Sequence, residues 1–138
     1  IKPNSSELNK LNKPAPRVKL GPSLINIASS CIDVSDGLEQ DLNHILRASK
    51  VGAIIESQSL PLSDSVNGYL KTSPDLGLPL CGGDDYELCF TSDQSNQAEI
   101  KKLSESLNIR ITKIGVINNS QTLEIRGYEG SSKSYQHF

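Results

Sequence analysis

The chain has 138 residues and a formal net charge of -2, which argues against nucleic acid or an anionic membrane as the main partner. Its length fits one domain, and with no Trp and few other aromatics the core should be mainly Leu, Ile and Val. No apolar run is long enough to span a membrane, no signal peptide is visible, and Cys31, Cys81 and Cys89 form no C-x-x-C pair, which favours reduced thiols in a cytoplasmic protein. Met is absent throughout, so a fragment or a processed chain is expected.

Ile1 to Pro16 is polar and broken by Pro3, Pro14 and Pro16. It reads as a tail and linker, in which Ser5-Ser6-Glu7-Leu8 could start a short helix that ends before Pro14. An α/β domain is expected over 17–138. Arg17 to Ser29 should hold a helix starting near Pro22, a residue that suits a first turn. Cys31, Ile32 and Val34 suit a buried strand that runs without a linker into a helix carrying Leu38, Leu42, Ile45 and Leu46. Val51 to Glu56 reads as a second buried strand, and Ser63 as the cap of a short helix through about Leu70.

Thr72 to Pro79 reads as a Pro- and Gly-marked loop. Tyr86, Leu88 and Phe90 then alternate with polar or small residues, as a strand would. Asn96-Gln97-Ala98-Glu99 has capping-box form before the apolar Ile100, Leu103 and Leu107. Ile109 to Ile117 and the region of Leu123 and Ile125 complete the strands. The order is roughly ααβαβαβαββ, an α/β (α+β) fold with a mixed sheet flanked by helices.

Two stretches concentrate chemistry. In Asp33-Val34-Ser35-Asp36-Gly37, Asp33 should end a strand while Ser35 and Asp36 open a helix. Open α/β sheets bind ligands at that edge, and a helix N-terminus offers N–H groups that suit phosphate. Carboxylates repel phosphate but can hold it through Mg²⁺, a hard cation that takes oxygen ligands. Asp33 and Asp36 are therefore candidate ligands for a metal-bound nucleotide, set against a plain capping role for Ser35 and Asp36. An EF-hand does not fit, because Gly37 is one place early and His44 stands where the closing Glu belongs. An aspartyl-nucleophile phosphatase does not fit either, since Ser35 stands where the second Asp is needed. In Gly82-Gly83-Asp84-Asp85 the glycines let backbone approach a ligand, or simply make a turn beside solvated acids.

Together, Ile32 to Leu38, Leu60-Pro61-Leu62-Ser63 and Gly82 to Leu88 resemble the C-terminal half of thiamine-monophosphate kinase. Pro16-Arg17-Val18-Lys19-Leu20-Gly21 and Tyr135-Gln136-His137-Phe138 are similar to that family as well, in the family's order. The resemblance implies the aminoimidazole-ribonucleotide synthetase-like fold. It also implies an N-terminal domain, absent here, that supplies much of the ATP site and a homodimer interface. The implied reaction converts ATP and thiamine monophosphate to ADP and thiamine diphosphate by direct transfer with Mg²⁺, and this chain alone is expected to be inactive. By the same resemblance Asp33 and Asp36 would bind Mg²⁺, Ser35 would touch ATP, and Asp84 and Tyr135 would contact substrate. The family usually has Glu at the position of Asp84, and Trp or Phe after a Gly at that of Tyr135, which here follows Ser134.

Overall fold

The computed structural model describes residues 5–83 and 85–127. Helix α1 (Ser5–Asn12) stops before Pro14, as the sequence predicts, and Ser65 donates a hydrogen bond to its Glu7 at 2.8 Å. A single helical turn, α2 (Leu20–Ser23), starts two residues before Pro22 and buries Leu20. Strand β1 (Ala28–Val34) then leads toward α3 (Leu38–Ser49).

Helix α3 organises the domain. Leu42, Ile45 and Leu46 are buried along one face, the i, i+3, i+4 pattern of an amphipathic helix. That face packs against β1, against α5 (Gly77–Cys81) and against β3 (Glu87–Ser92). Lys50, in the left-handed region at φ 54°, ends α3 and turns the chain into β2 (Gly52–Glu56). Leu42 and Leu46 share a core with Ala53 and Ile55 of β2, with Leu60 and Leu76, and with Leu80 of α5, which is only 1% exposed.

There are two sheets among the described residues. Strand β2 pairs antiparallel with β4 (Gly115–Asn118) and parallel with β5 (Leu123–Arg126), giving the mixed sheet expected from sequence. Strand β1 is not part of it. It pairs antiparallel with β3, placing Asp33 opposite Leu88 and Val34 opposite Glu87. Asp33 therefore lies one residue before the end of a strand in a two-stranded antiparallel ribbon, not at the edge of an open parallel sheet, and the expectation built on such an edge is corrected.

Three further expectations change. The 72–79 loop contains the start of α5, because in a five-residue helix the missing N–H of Pro79 interrupts no intrahelical ladder. Helix α4 (Asp64–Leu70) is capped by Ser63, which accepts from Val66 N–H at 3.3 Å, as predicted. Helix α6 (Gln97–Leu107) forms without the expected side-chain cap, because Asn96 instead donates to the Ile27 carbonyl at 3.0 Å. Of the strand expected over 109–117, only the segment from Gly115 pairs.

Candidate functional site

The site grows from the junction of β1 and α3. Val34 is buried and anchors the strand end, while Asp33, one residue earlier, points to the exposed face. Its carboxylate accepts no hydrogen bond from the described residues. After Val34 the chain bends through Ser35 and Asp36, and the helix opens only at Leu38. Ser35 and Asp36 are thus not its first turn, and neither caps it. The cap residue is Gly37, at φ 113° and ψ 146°, a backbone region essentially restricted to glycine.

The bend is held by a residue that the motif reading passed over. Asp41, 3% exposed, turns its carboxylate back from α3. One oxygen, Oδ2, accepts the backbone N–H of Ser35 at 2.9 Å and that of Asp36 at 3.1 Å. Those two donors are therefore engaged, and because α3 starts at Leu38 they are not N–H groups of its N-terminus, contrary to the expectation from sequence. The signal was in the sequence: Asp41 falls on the Leu38, Leu42, Ile45 face, where a charged residue needs a reason. Asp36 lies half-buried, and its own carboxylate accepts from Gln40 Nε2 at 3.2 Å.

The second glycine-rich stretch is pressed against this bend. A side chain at Gly83 would come within 2.4 Å of the Ser35 carbonyl oxygen, and one at Gly37 within 2.8 Å of the Cys81 backbone. Backbone meets backbone at both places. The two stretches singled out by sequence are thus neighbours in space.

Beside them lies a cavity of about 180 Å³, walled by Asp33, Val34 and Ser35, by Tyr86, Glu87 and Leu88, and by Pro16 and Arg17. It joins three of the stretches that carry the family resemblance. Arg17 closes one side by a two-pronged pairing with Glu87, its Nε donating at 2.7 Å. The carboxylate holds the guanidinium proton more tightly, so its pKa is raised. Tyr86 stands on the rim at φ 53°, a left-handed conformation uncommon for a residue with a Cβ. Asp33 and Ser35 line the cavity, whereas Asp36 does not. Asp84 and Tyr135 lie outside the described residues. Among the described residues no group of three or more His, Cys, Asp or Glu is placed to hold a metal ion.

Burial, with help from nearby Cys31 and Asp41, pushes the Cys89 thiol up to about 11. Its protonated form is thus favoured by the fold. The stabilisation is complete below the ordinary thiol value of 9.0 and is lost as pH rises through about 11. Iodoacetamide at pH 8 should therefore alkylate the exposed Cys31 first and leave Cys89 largely unmodified until unfolding. Equal labelling of both cysteines in the folded protein, read by mass spectrometry, would contradict this placement.

No family model matches the chain. Individual relatives do. A thiamine-monophosphate kinase from Haemophilus influenzae is 46% identical over 107 residues, which is 77% of this chain and 32% of that protein. The crystal structure of thiamine-monophosphate kinase from Stenotrophomonas maltophilia matches with a TM-score of 0.82 and 39% identity, covering 91% of this chain and 40% of that one. AaThiL complexed with AMPPCP and TMP matches at a TM-score of 0.77 and 26% identity, over 99% of this chain and 43% of that one. The hydrogenase maturation protein HypE of E. coli shares the fold alone, at 16% identity and a TM-score of 0.68.

The fold is thus that of the aminoimidazole-ribonucleotide synthetase-like proteins. The chain spans about a third of the length of the curated relatives it matches. Within that class it belongs to the thiamine-monophosphate kinase family.

Proposed function

We propose that this chain forms part of a kinase that transfers a phosphoryl group from ATP to thiamine monophosphate, giving ADP and thiamine diphosphate. The observation that carries the reading is the match of 99% of the chain to AaThiL, whose structure is complexed with AMPPCP and TMP. In this reading residues 1–16 are a tail, 17–138 form the α/β domain, and a further domain supplies much of the ATP site and a homodimer interface. The protein would work in the cytoplasm, in keeping with free cysteines among the described residues.

Asp33 and Asp36 would hold Mg²⁺, and the donor chemistry suits it. The cation prefers hard oxygen ligands and is commonly bound by one or two carboxylates, with waters and substrate phosphates completing its shell. Two such carboxylates stand at the bend, Asp33 just before it and Asp36 within it, and that of Asp33 is exposed. Bound there, Mg²⁺ would neutralise phosphate oxygens and orient them for transfer.

The chain's own task is positioning. Ser35 would touch ATP from the cavity wall, while Asp84 and Tyr135 would receive the cationic thiazolium and the flat pyrimidine. A phosphate monoester has a second pKa of about 6, so the acceptor is largely dianionic at neutral pH and needs no general base. What remains is to align two polyanions, which is how phosphoryl transfer is generally catalysed. The test is an assay of the whole protein with ATP, Mg²⁺ and thiamine monophosphate. Thiamine diphosphate and ADP should appear in equal amounts; a folded protein that makes neither would overturn the proposal.

A further inference from the structure

We propose that Asp41 is a positioning residue for the nucleotide–metal site, a role that rests on the function proposed above. Its carboxylate is buried, yet no Lys, Arg or His among the described residues forms an ion pair with it. It spends one oxygen on two consecutive backbone N–H groups, those of Ser35 and Asp36. Its own N–H donates to the Gly37 carbonyl at 3.0 Å, so the residue is tied to the bend from both its main chain and its side chain.

The arrangement does more than cap a helix. Gly37, not Asp36, occupies the cap position, and its side of the bend is already fixed by contact with the Cys81 backbone. Asp41 fixes the other side, the peptide units that carry the Ser35 and Asp36 side chains. Without it, two amides at the end of β1 would have to find other acceptors, and the bend would rotate about the Val34 anchor. Asp33 would keep its place through pairing opposite Leu88, but Asp36 would lose its relation to it. The clamp therefore sets the separation of the two carboxylates.

The second consequence concerns phosphate. Two adjacent N–H groups in a bend form a natural anion cradle. Here the chain fills that cradle with a carboxylate of its own. A phosphate oxygen that approaches Ser35 and Asp36 meets acidic groups and engaged amides, so docking at these two residues calls for a bridging cation.

The test uses the whole protein and three variants. Asp41→Ala removes the clamp, Asp41→Asn keeps one oxygen able to accept both N–H groups, and Ile45→Val weakens the same helix's buried face without touching the bend. In Asp41→Ala the amides of Ser35 and Asp36 should exchange hydrogen faster by about tenfold or more, and Mg²⁺ affinity, measured calorimetrically with a non-hydrolysable ATP analogue, should fall by about 10–100-fold. Asp41→Asn should lie between Asp41→Ala and the wild type, and Ile45→Val should match the wild type in both measurements despite a lower melting temperature. Unchanged exchange at Ser35 and Asp36 in Asp41→Ala would overturn the clamp. So would equal losses of Mg²⁺ affinity in Asp41→Ala and Ile45→Val. If the wild-type protein itself bound no Mg²⁺ with the analogue, the proposed function would fail, and the exchange data alone would decide whether Asp41 holds the bend. Should Asp41→Ala not fold, the same two measurements on Asp41→Asn decide the matter, with the wild-type values as the overturning result.

Discussion

Asp36→Asn in the whole protein is expected to lower turnover of thiamine monophosphate by about two to three orders of magnitude while leaving stability nearly intact. The side chain keeps its size, and an amide oxygen can still accept the hydrogen bond that Gln40 Nε2 now gives at 3.2 Å. Asp36 does not cap α3, so the change removes no capping bond. It lies near the helix start, where loss of a negative charge costs about 1 kcal/mol or less. Charge is the main loss. Neutralising phosphate through a metal is worth several kcal/mol, and each 1.4 kcal/mol or so corresponds to about tenfold in rate. A purely structural Asp36 would give the opposite pattern, with activity following the melting temperature. Measuring both on one preparation separates the two, and near-normal turnover at saturating Mg²⁺ would remove Asp36 from the site.

A large stability effect is expected at Gly37, where a left-handed backbone and a backbone clash coincide. Any L-residue there would adopt φ 113°, which costs about 1–3 kcal/mol. Its Cβ would also stand 2.8 Å from Cys81 Cα and carbonyl carbon, both backbone atoms that cannot swing away. Overpacking of this kind adds about 1–3 kcal/mol. Gly37→Ala should therefore cost about 2–6 kcal/mol, a large share of a typical stability of about 5–15 kcal/mol. Gly68 provides the control, because it sits in α4 with open space where a Cβ would be. Gly68→Ala should leave stability unchanged or raise it by up to about 1 kcal/mol. Thermal unfolding of both variants decides it: equal melting temperatures would mean that the bend is not packed as described.

Much of this architecture was legible because local signals agreed. Ser63 caps α4 and the apolar positions of α3 face the core, since both depend on spacing within a few residues. The motifs also carried the family, because carboxylates and glycines sit at fixed separations. What was not legible depended on partners distant in sequence. Nothing near Asp33 says that its strand pairs with β3 and not with β2, for that choice is made by residues some fifty positions later. Asn96 has the form of a helix cap, yet it is drawn to the Ile27 carbonyl across the fold. Helix α5 was hidden because Gly77 and Pro79 signal a break, while Leu80 gains more from burial in the core than those residues lose in propensity. Asp41 could have been found. A carboxylate on the apolar face of an amphipathic helix is a conflict between levels, and such conflicts tend to fall at working sites.

The amide clamp between the bend and α3 also governs where the gene can change length. Between Val34 and Asp41 the chain is fixed at both ends, by cross-strand pairing with Glu87 and by hydrogen bonds to the bend. One inserted codon there would either slip Asp33 out of register or pull the carboxylate away from its amides, and a deleted codon would do the same. The connection from Asn108 to Ile114 carries no such double restraint along most of its length. Insertions and deletions among descendants of this sequence should accumulate in that connection, while the eight residues from Val34 to Asp41 keep their count even where their identities drift.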